Sequence, residues 1–481
     1  MHFFDLAVIL AYLAGITWFG AHFRTGDKGL REYFLGGREA PWWAIALSIV
    51  SAETSTLTIV GTPALAFTGN MGFLQLVLGY LLARILISAV FLPQYFRGEM
   101  FTAYELMRRR FGERIRKMTA AIFLVTRALA EGVRVFAISL VISIVLGTGE
   151  MASIFLIAGL TLFYTIQGGM TAVIWTDVVQ MCLYVSGAVL SLIVILGKIP
   201  GGWAHAVAVA GAADKFAIFD FRFAPTMEFF ARKYTFWAGI AGGCFLTTAS
   251  HGTDQLMVQR LLSARNQRDS RRALLASWVL VAFQFTLFLL IGILLWVYYG
   301  DLGRAAPAAD RIYPQFIWDS LPRGLAGLAI AAILAAAMAN LSAALNALSS
   351  TVVVDFLRGA AGPAGERGAM RRARLATVAW AVVLIGIAYA ARHSRSVLEA
   401  GLTIASIPSG ALLGVFLLGV LTRRPGEWAA IAGVVAGLSA ALWVRFETPV
   451  AFTWYVMIGA TVTFGCGLAA SWLGRALARM R

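Results

Sequence analysis

The sequence predicts an all-α membrane protein with about thirteen transmembrane helices, and three observations predict it. Of its 481 residues, 60% are hydrophobic and only 13% charged. That is too little charge to cover the surface of a soluble protein of this length. The apolar residues also fall in runs of roughly 20 or more, long enough to cross a ~30 Å hydrocarbon layer as helices. Finally, Lys and Arg cluster in alternate connectors, which is the positive-inside pattern of cytoplasmic loops.

The first apolar run, Phe4 to His22, has no basic leading region, and no small-residue cleavage site follows it. It reads as a retained helix rather than a signal peptide. A connector from Arg24 to Pro41 then carries Glu32-Tyr33-Phe34-Leu35-Gly36-Gly37-Arg38. Ten core spans follow at about 42–68, 72–97, 118–146, 152–168, 172–197, 234–262, 273–299, 323–357, 372–391 and 396–421. Two more, about 427–445 and 451–474, complete a single transmembrane domain over 1–481. With the N-terminus outside and the spans alternating, one basic cluster after another faces the cytoplasm. These are Arg24, Lys28, Arg31 and Arg38; Arg97, Arg108 to Arg110, Arg114, Arg116 and Lys117; Arg260, Arg265, Arg268, Arg271 and Arg272. Arg358, Arg367, Arg371, Arg372 and Arg374, then Arg423, Arg424, Arg475, Arg479 and Arg481, continue the series. The topology is therefore N-out, C-in. The net charge of +16 is a topology signal and not a nucleic-acid footprint. Cys182, Cys244 and Cys466 lie apart within apolar spans, against a disulfide framework or a cysteine metal site.

The longest extracellular connector, Pro200 to Lys233, separates core spans five and six. Five spans lie on each side, so equivalent helices of the groups 42–197 and 234–421 cross the membrane in opposite directions, as in an inverted repeat. The first helix of each group carries small and polar residues at mid-membrane depth. Span 42–68 has Ser48, Ser51-Ala52-Glu53-Thr54-Ser55-Thr56, Gly61 and Pro63; span 234–262 has Gly239, Gly242, Gly243 and Thr247-Thr248-Ala249-Ser250-His251-Gly252-Thr253-Asp254. Close helix packing is one use of such residues. A matched pair of interrupted helices around a binding site is the other, and the matching favours it.

Four stretches then resemble the sodium/solute symporters, the family of sodium/glucose, sodium/proline and sialic acid transporters. They are Tyr33 to Arg38, Gly168-Gly169-Met170-Thr171-Ala172-Val173-Ile174-Trp175-Thr176-Asp177, Asp254-Gln255-Leu256-Met257-Val258-Gln259-Arg260, and Gly410-Ala411-Leu412-Leu413-Gly414-Val415-Phe416-Leu417-Leu418-Gly419. The resemblance runs from Asp5 to about Arg424 and implies a leucine-transporter-like 5+5 inverted repeat with one extra N-terminal and two extra C-terminal helices. It also implies a coupling ion, Na+, between the broken first core helix and the eighth. The matching ligands are carbonyls near Leu47 and Val50, the carbonyl of Ala336, and two hydroxyl positions that fall here at Ala339 and Asn340. Ala339 offers no side-chain oxygen and Asn340 an amide, so Ser342, a water or proton coupling are the alternatives. Asp177, an ionisable residue inside a span, is a functional candidate. The resemblance places it on the ion's exit route or at a second sodium, whereas a helix-end carboxylate is the plain structural alternative.

For the solute, the resemblance points to Ser51 and Thr54 on the first core helix, where Glu53 is a further polar group, and Gln75 is another on the second. Arg127, Glu131 and Arg134 share one face of the third core helix. Arg84 and Asp254 lie on neighbouring helices, so the arginines have carboxylates within reach. Either every arginine is paired structurally, or one is left to receive a solute carboxylate. Arg134 is the nearest match to the arginine that sialic acid transporters use, and Asp254 stands where sugar transporters place asparagine. His251 reads as a neutral hydrogen-bonded residue in the break, with a proton relay as the alternative. Trp42 and Trp43 read as interface anchors, and Asp355 and Arg358 as a helix terminus at the membrane surface.

With five histidines, no HExxH and no soluble catalytic domain, the chain is not read as an enzyme. The tail after Leu473 is too short for the kinase of a sensor protein. The expected function is sodium-coupled symport by alternating access of a small polar, charged solute such as an amino acid, sugar acid, sugar or carboxylate. A proton-coupled carrier or a membrane sensor is the alternative. The expected setting is a bacterial inner membrane; the partners are solute, sodium and lipid, with no nucleic acid and no obligate protein.

Overall fold

The computed structural model describes residues 3–23, 29–146, 149–303, 306–357, 366–391 and 397–480. Arg24, Lys28, Arg358 and Arg481 of the topology reading lie outside the described residues. The principal helices are α1 (Phe3–His22), α2 (Trp42–Glu53), α3 (Thr56–Thr68), α4 (Leu74–Tyr95), α5 (Glu113–Leu146), α6 (Glu150–Lys198) and α7 (Gly243–Gly252). They continue as α8 (Gln255–Leu262), α9 (Gln267–Asp301), α10 (Leu325–Leu357), α11 (Glu366–Ala391), α12 (Val397–Leu421), α13 (Glu427–Glu447) and α14 (Phe452–Met480). Among the described residues, eight helices are long and apolar enough to cross a membrane, or nine if α2 and α3 form one bent span. The only extended pairing described is an isolated bridge between Ala40 and Ala264.

Sequence chemistry explains where helices stop. α2 ends at Thr54, whose φ of −81° and ψ of 116° are extended. Ser55 then opens α3 through reciprocal bonds with Thr58, a capping arrangement that satisfies orphan N–H groups. The two segments are bent by 64°. α6 is continuous in hydrogen bonding but turns at Gly169, with φ 53° and ψ −145°. A Cβ there would lie 2.5 Å from the Tyr33 carbonyl, so only glycine fits both the dihedral and the space. α7 and α8 are separated at Thr253–Asp254, where Asp254 caps α8 by accepting from Leu256 N at 2.9 Å.

Three of the four sequence motifs meet in one place. Tyr33, Phe34 and Leu35 are buried, Gly169 packs on the Tyr33 carbonyl, and Gln259 Nε2 donates to the Phe34 carbonyl at 2.8 Å. The motifs thus encode a single junction between the first connector, the α6 turn and α8. The glycines of the fourth motif let α12 approach α14: Gly410 faces the Val456 carbonyl and Gly414 that of Ala460.

α10 is the most enclosed span, with 89% of its apolar window buried against 28% for α1. α1 is docked on it by Asp5, which accepts from Gly324 N at 2.8 Å and Gly327 N at 2.9 Å. A carboxylate at that helix N-terminus satisfies orphan donors and suits the helix dipole.

Three readings are corrected. Arg116 and Arg260 do not face the cytoplasm; they are 5% and 1% exposed, because each is drawn to a buried carboxylate. Asp355 is not a surface helix end but is buried, bonded to Arg116 Nε at 2.7 Å and Thr102 at 3.1 Å.

α4 crosses the π-turn Ala238–Gly242 and α7 through glycine. A Cβ on Gly79 would lie 2.2 Å from the Gly239 carbonyl, and one on Gly243 2.7 Å from the Leu76 carbonyl. Both obstacles are backbone, so neither can swing aside. Gly79→Val should therefore lower the melting temperature, destabilising by about 1–3 kcal/mol or more. Gly61→Ala, with nothing within 4 Å of the new carbon, should leave it unchanged or raise it, stabilising by up to about 1 kcal/mol. Equal melting temperatures for the two variants would contradict the close crossing.

Candidate functional site

Four polar clusters lie around the two breaks. The first is the α2–α3 break. Thr58 N is taken by Ser55 O at 2.8 Å, so the Thr54 carbonyl has lost its helical partner. Asn340 Nδ2 on α10 donates to it, and also lies 3.4 Å from the Ala336 carbonyl. The Thr54 hydroxyl donates to Val50 O at 2.7 Å. It accepts from Gln284 Nε2 at 2.8 Å and Tyr184 OH at 3.2 Å. The break is therefore held by α6, α9 and α10 at once.

The second cluster joins α2, α4, α7 and α9. Arg84 Nη2 lies 2.8 Å from Glu53 Oε2, and Arg84 Nε donates to Ser277 at 3.0 Å. His251 Nε2 is 3.3 Å from the same Glu53 oxygen, while its Nδ1 is 2.9 Å from Ser250 Oγ. The third lies on α5: Glu131 Oε1 receives Arg127 at 2.5 Å and Arg134 at 2.6 Å, and Arg127 also reaches Asp254 at 3.8 Å. The fourth joins α2, α6 and α8. Asp177 Oδ2 accepts from Ser48 Oγ at 2.5 Å and from Arg260 Nη2 at 2.7 Å, and Arg260 Nε donates to Ser48 at 2.8 Å.

Comparison with known proteins agrees with this geometry. The sequence profile of the sodium:solute symporter family matches residues 33–437. The chain belongs to that family. The sodium/sialic acid symporter SiaT of Proteus mirabilis is 29% identical over 468 residues, covering 95% of this chain and 92% of that protein. The sodium-coupled monocarboxylate transporter 2 of Bos taurus is 27% identical, covering 96% and 75%. A solved structure of a Na+-coupled sialic acid symporter in a substrate-bound outward-open state superposes with a TM-score of 0.89 at 28% identity, covering 98% of each chain. As a member of this family the chain is a multi-pass cell-membrane protein.

The symporter's predicted ion ligands separate on inspection. Leu47 and Val50 lie inside helical α2, and Val50 O is engaged by Thr54 N at 2.9 Å. The freed carbonyl belongs instead to Thr54, because the capping bond formed by Ser55 sets the break one turn later. Asn340 reaches it from α10, and the Ala336 carbonyl, one helical turn away, lies 3.4 Å from the same amide nitrogen. Ala339 is buried and adds no side-chain oxygen. Ser342 is occupied with Thr165 on α6 at 3.1 Å. Buried oxygens with no hydrogen-bond partner remain on Asn340 (Oδ1), Asp177 (Oδ1) and Ser51 (Oγ). Hard oxygen atoms of this kind suit an alkali cation, so the residues present fit sodium. The Asp177 carboxylate is divided: one oxygen is committed to Arg260 and Ser48, and the other is free.

Of the predicted solute residues, Thr54 braces the break, Glu53 pairs with Arg84, and Asp254 and Arg134 stand at either end of the α5 cluster. Gln75 is set apart: its Nε2 donates to Gly72 O at 3.1 Å and Tyr234 O at 3.3 Å, and its Oε1 accepts from Asp220 N at 2.9 Å. It thereby floors a cavity of about 430 Å³ beneath the long connector, lined also by Asn70, Asp220, Arg222 and Tyr234. Arg222 hydrogen-bonds Asp220 there and holds its carboxyl below the usual range.

The sequence reading missed Tyr184, Gln284 and the role of Arg260. Gln284 had a signal, as a lone amide between phenylalanines in an apolar helix. Arg260 lies beside the basic run Arg265 to Arg272 in the chain, and a linear reading groups it there. Because the Arg260–Asp177 pair is buried, removing one charge strands the other, at about 3–5 kcal/mol. Asp177→Ala should cut thermal stability sharply, and adding Arg260→Met should restore most of it. A double variant no more stable than Asp177→Ala would show the pair is not coupled.

Proposed function

We propose that this protein is a sodium-coupled symporter of a small organic carboxylate, with Arg134 as the group that receives the carboxylate. The observation that carries this is the graded exposure of Arg84, Arg127 and Arg134. The Arg84 side chain is 0% exposed and paired with Glu53, that of Arg127 14% exposed between Glu131 and Asp254, and that of Arg134 25% exposed with one bond, shared, to Glu131. Arg134 alone combines open donors with a loosely held position, and a guanidinium fork suits a carboxylate. The relatives support the class, since sialic acid and monocarboxylates both carry that group. Charge supports it as well. Arg84, Arg127 and Arg134 against Glu53, Glu131 and Asp254 make a formally neutral region, where an anion accompanied by a sodium ion adds no net charge.

The chain is further proposed to be N-out and C-in with thirteen spans. Residues 42–197 and 234–421 form two inverted five-helix repeats, preceded by 4–22 and followed by 427–474. The matched breaks at Thr54–Ser55 and Thr253–Asp254 support this arrangement. Alternating access then rocks one repeat against the other, with Asp177 on the inward path of the ion. Ion and solute must each bind the two states with different affinity for this to work.

Reconstituted in liposomes, the protein should take up labelled sialic acid or a short monocarboxylate under an inward sodium gradient, and not when choline replaces sodium. Arg134→Ala should raise KM for that solute about 10- to 100-fold, the value of a charge-assisted hydrogen bond. Equal competition by neutral and carboxylate solutes, or an unchanged KM in the variant, would refute the assignment.

A further inference from the structure

The amide of Asn340 sits in an unusual position. It is 3% exposed, and its Nδ2 faces two backbone carbonyls, those of Thr54 and Ala336. One of these has been freed by the α2–α3 break, where Ser55 has taken Thr58 N. Its other end, Oδ1, is buried with no hydrogen-bond partner. Buried polar atoms are nearly always paired, so a paired nitrogen opposite an orphaned oxygen marks an amide that is only half satisfied in this orientation.

The orientation is dictated by polarity. A carboxamide presents donors at nitrogen and lone pairs at oxygen. With nitrogen toward Thr54 O and Ala336 O, donor meets acceptor. Turned by half a rotation about its last side-chain bond, the amide would set Oδ1 against two carbonyl oxygens, which repel it unless a cation lies between them. The same three oxygens would then be the ligands of that cation.

We infer that Asn340 is a built-in occupant of the ion position. Its amide nitrogen holds the freed Thr54 carbonyl, beside that of Ala336, while the ion is absent, and the amide turns to offer Oδ1 when sodium enters. The inference rests on the sodium coupling proposed above and concerns a residue that sets ion affinity. The neighbouring position explains the arrangement: Ala339 supplies no oxygen, so one side chain both satisfies the empty break and contributes to the filled one. The consequence is competition. Sodium must displace an internal hydrogen bond that a hydroxyl at the same position would not oblige it to break, and the bent helix stays tied to α10 when no ion is bound.

The test reads ion binding without transport. Purified protein, free of solute, is heated across a range of sodium chloride concentrations at constant ionic strength with choline chloride. Asn340→Ser keeps an oxygen and removes the amide donors. It should reach half of its sodium-dependent stabilisation at about five-fold lower sodium than the wild type, the factor that one net hydrogen bond represents. It should also melt lower than the wild type when sodium is absent. Asn340→Thr makes the same comparison if the serine variant does not fold. A wild type that responds to sodium beside variants with an unchanged or higher half-point overturns the role of Asn340 and leaves sodium coupling standing. An unresponsive wild type beside responsive variants upholds the amide as occupant of the ion position, overturns its turning toward sodium, and removes sodium coupling from the native protein. No response in any of them overturns both.

Discussion

A helix crossing hydrocarbon can be interrupted only where other groups take over the backbone bonds it gives up. Here the interruption between α2 and α3 sets the terms for its surroundings. Ser55 and Thr58 close the start of α3, which leaves the Thr54 carbonyl without a helical donor. α6, α9 and α10 then converge on Thr54 through Tyr184, Gln284 and Asn340. Because these groups are buried, helices far apart in the sequence share one residue. A movement of any of them is felt at the break.

The buried charges follow the same logic of mutual dependence. A charge inside a membrane protein persists only with a partner, and two of the pairs here join different helices. Arg260 on α8 is tied to Asp177 on α6 and Ser48 on α2; Arg84 on α4 is tied to Glu53 on α2 and Ser277 on α9. α2 is thus gripped by one ion pair on each side of its bend-proximal turn. Glu53 and Ser48 lie less than two turns apart on a helix that also delivers Thr54. The arrangement concentrates on one short helix the contacts to be broken and remade when the protein changes state.

Backbone proximity is the third element. Gly79, Gly239 and Gly243 let α4 cross the first turns of the second broken helix at contact distance. Gly169 does the same between the α6 turn and the first connector. Without a hydrophobic drive between helices in lipid, such close contacts carry much of the packing. They also explain why the short motifs of the sequence are rich in glycine.

The sequence by itself determined the class and the stretches that hold both breaks, because hydrocarbon thickness, charge and small polar residues at mid-span are local constraints. Four motifs were enough to identify the family. The sequence singles out Asn340 and Ala336 as expected ion ligands and Thr54 as an expected solute contact, and the fold brings the three together. It could not decide which carbonyl is freed, since that depends on the bond Ser55 makes and moves the break past Leu47 and Val50. Nor could it decide which carboxylate each arginine takes: Arg260 and Arg116 look like loop charges in a linear reading and are buried only because Asp177 and Asp355 come to them from distant helices. Gln75 was legible as polar and near the right depth, yet the fold binds it to a connector 145 residues away. Pairing across helices is a property of three-dimensional packing, and partners so distant in the chain leave no local pattern to read.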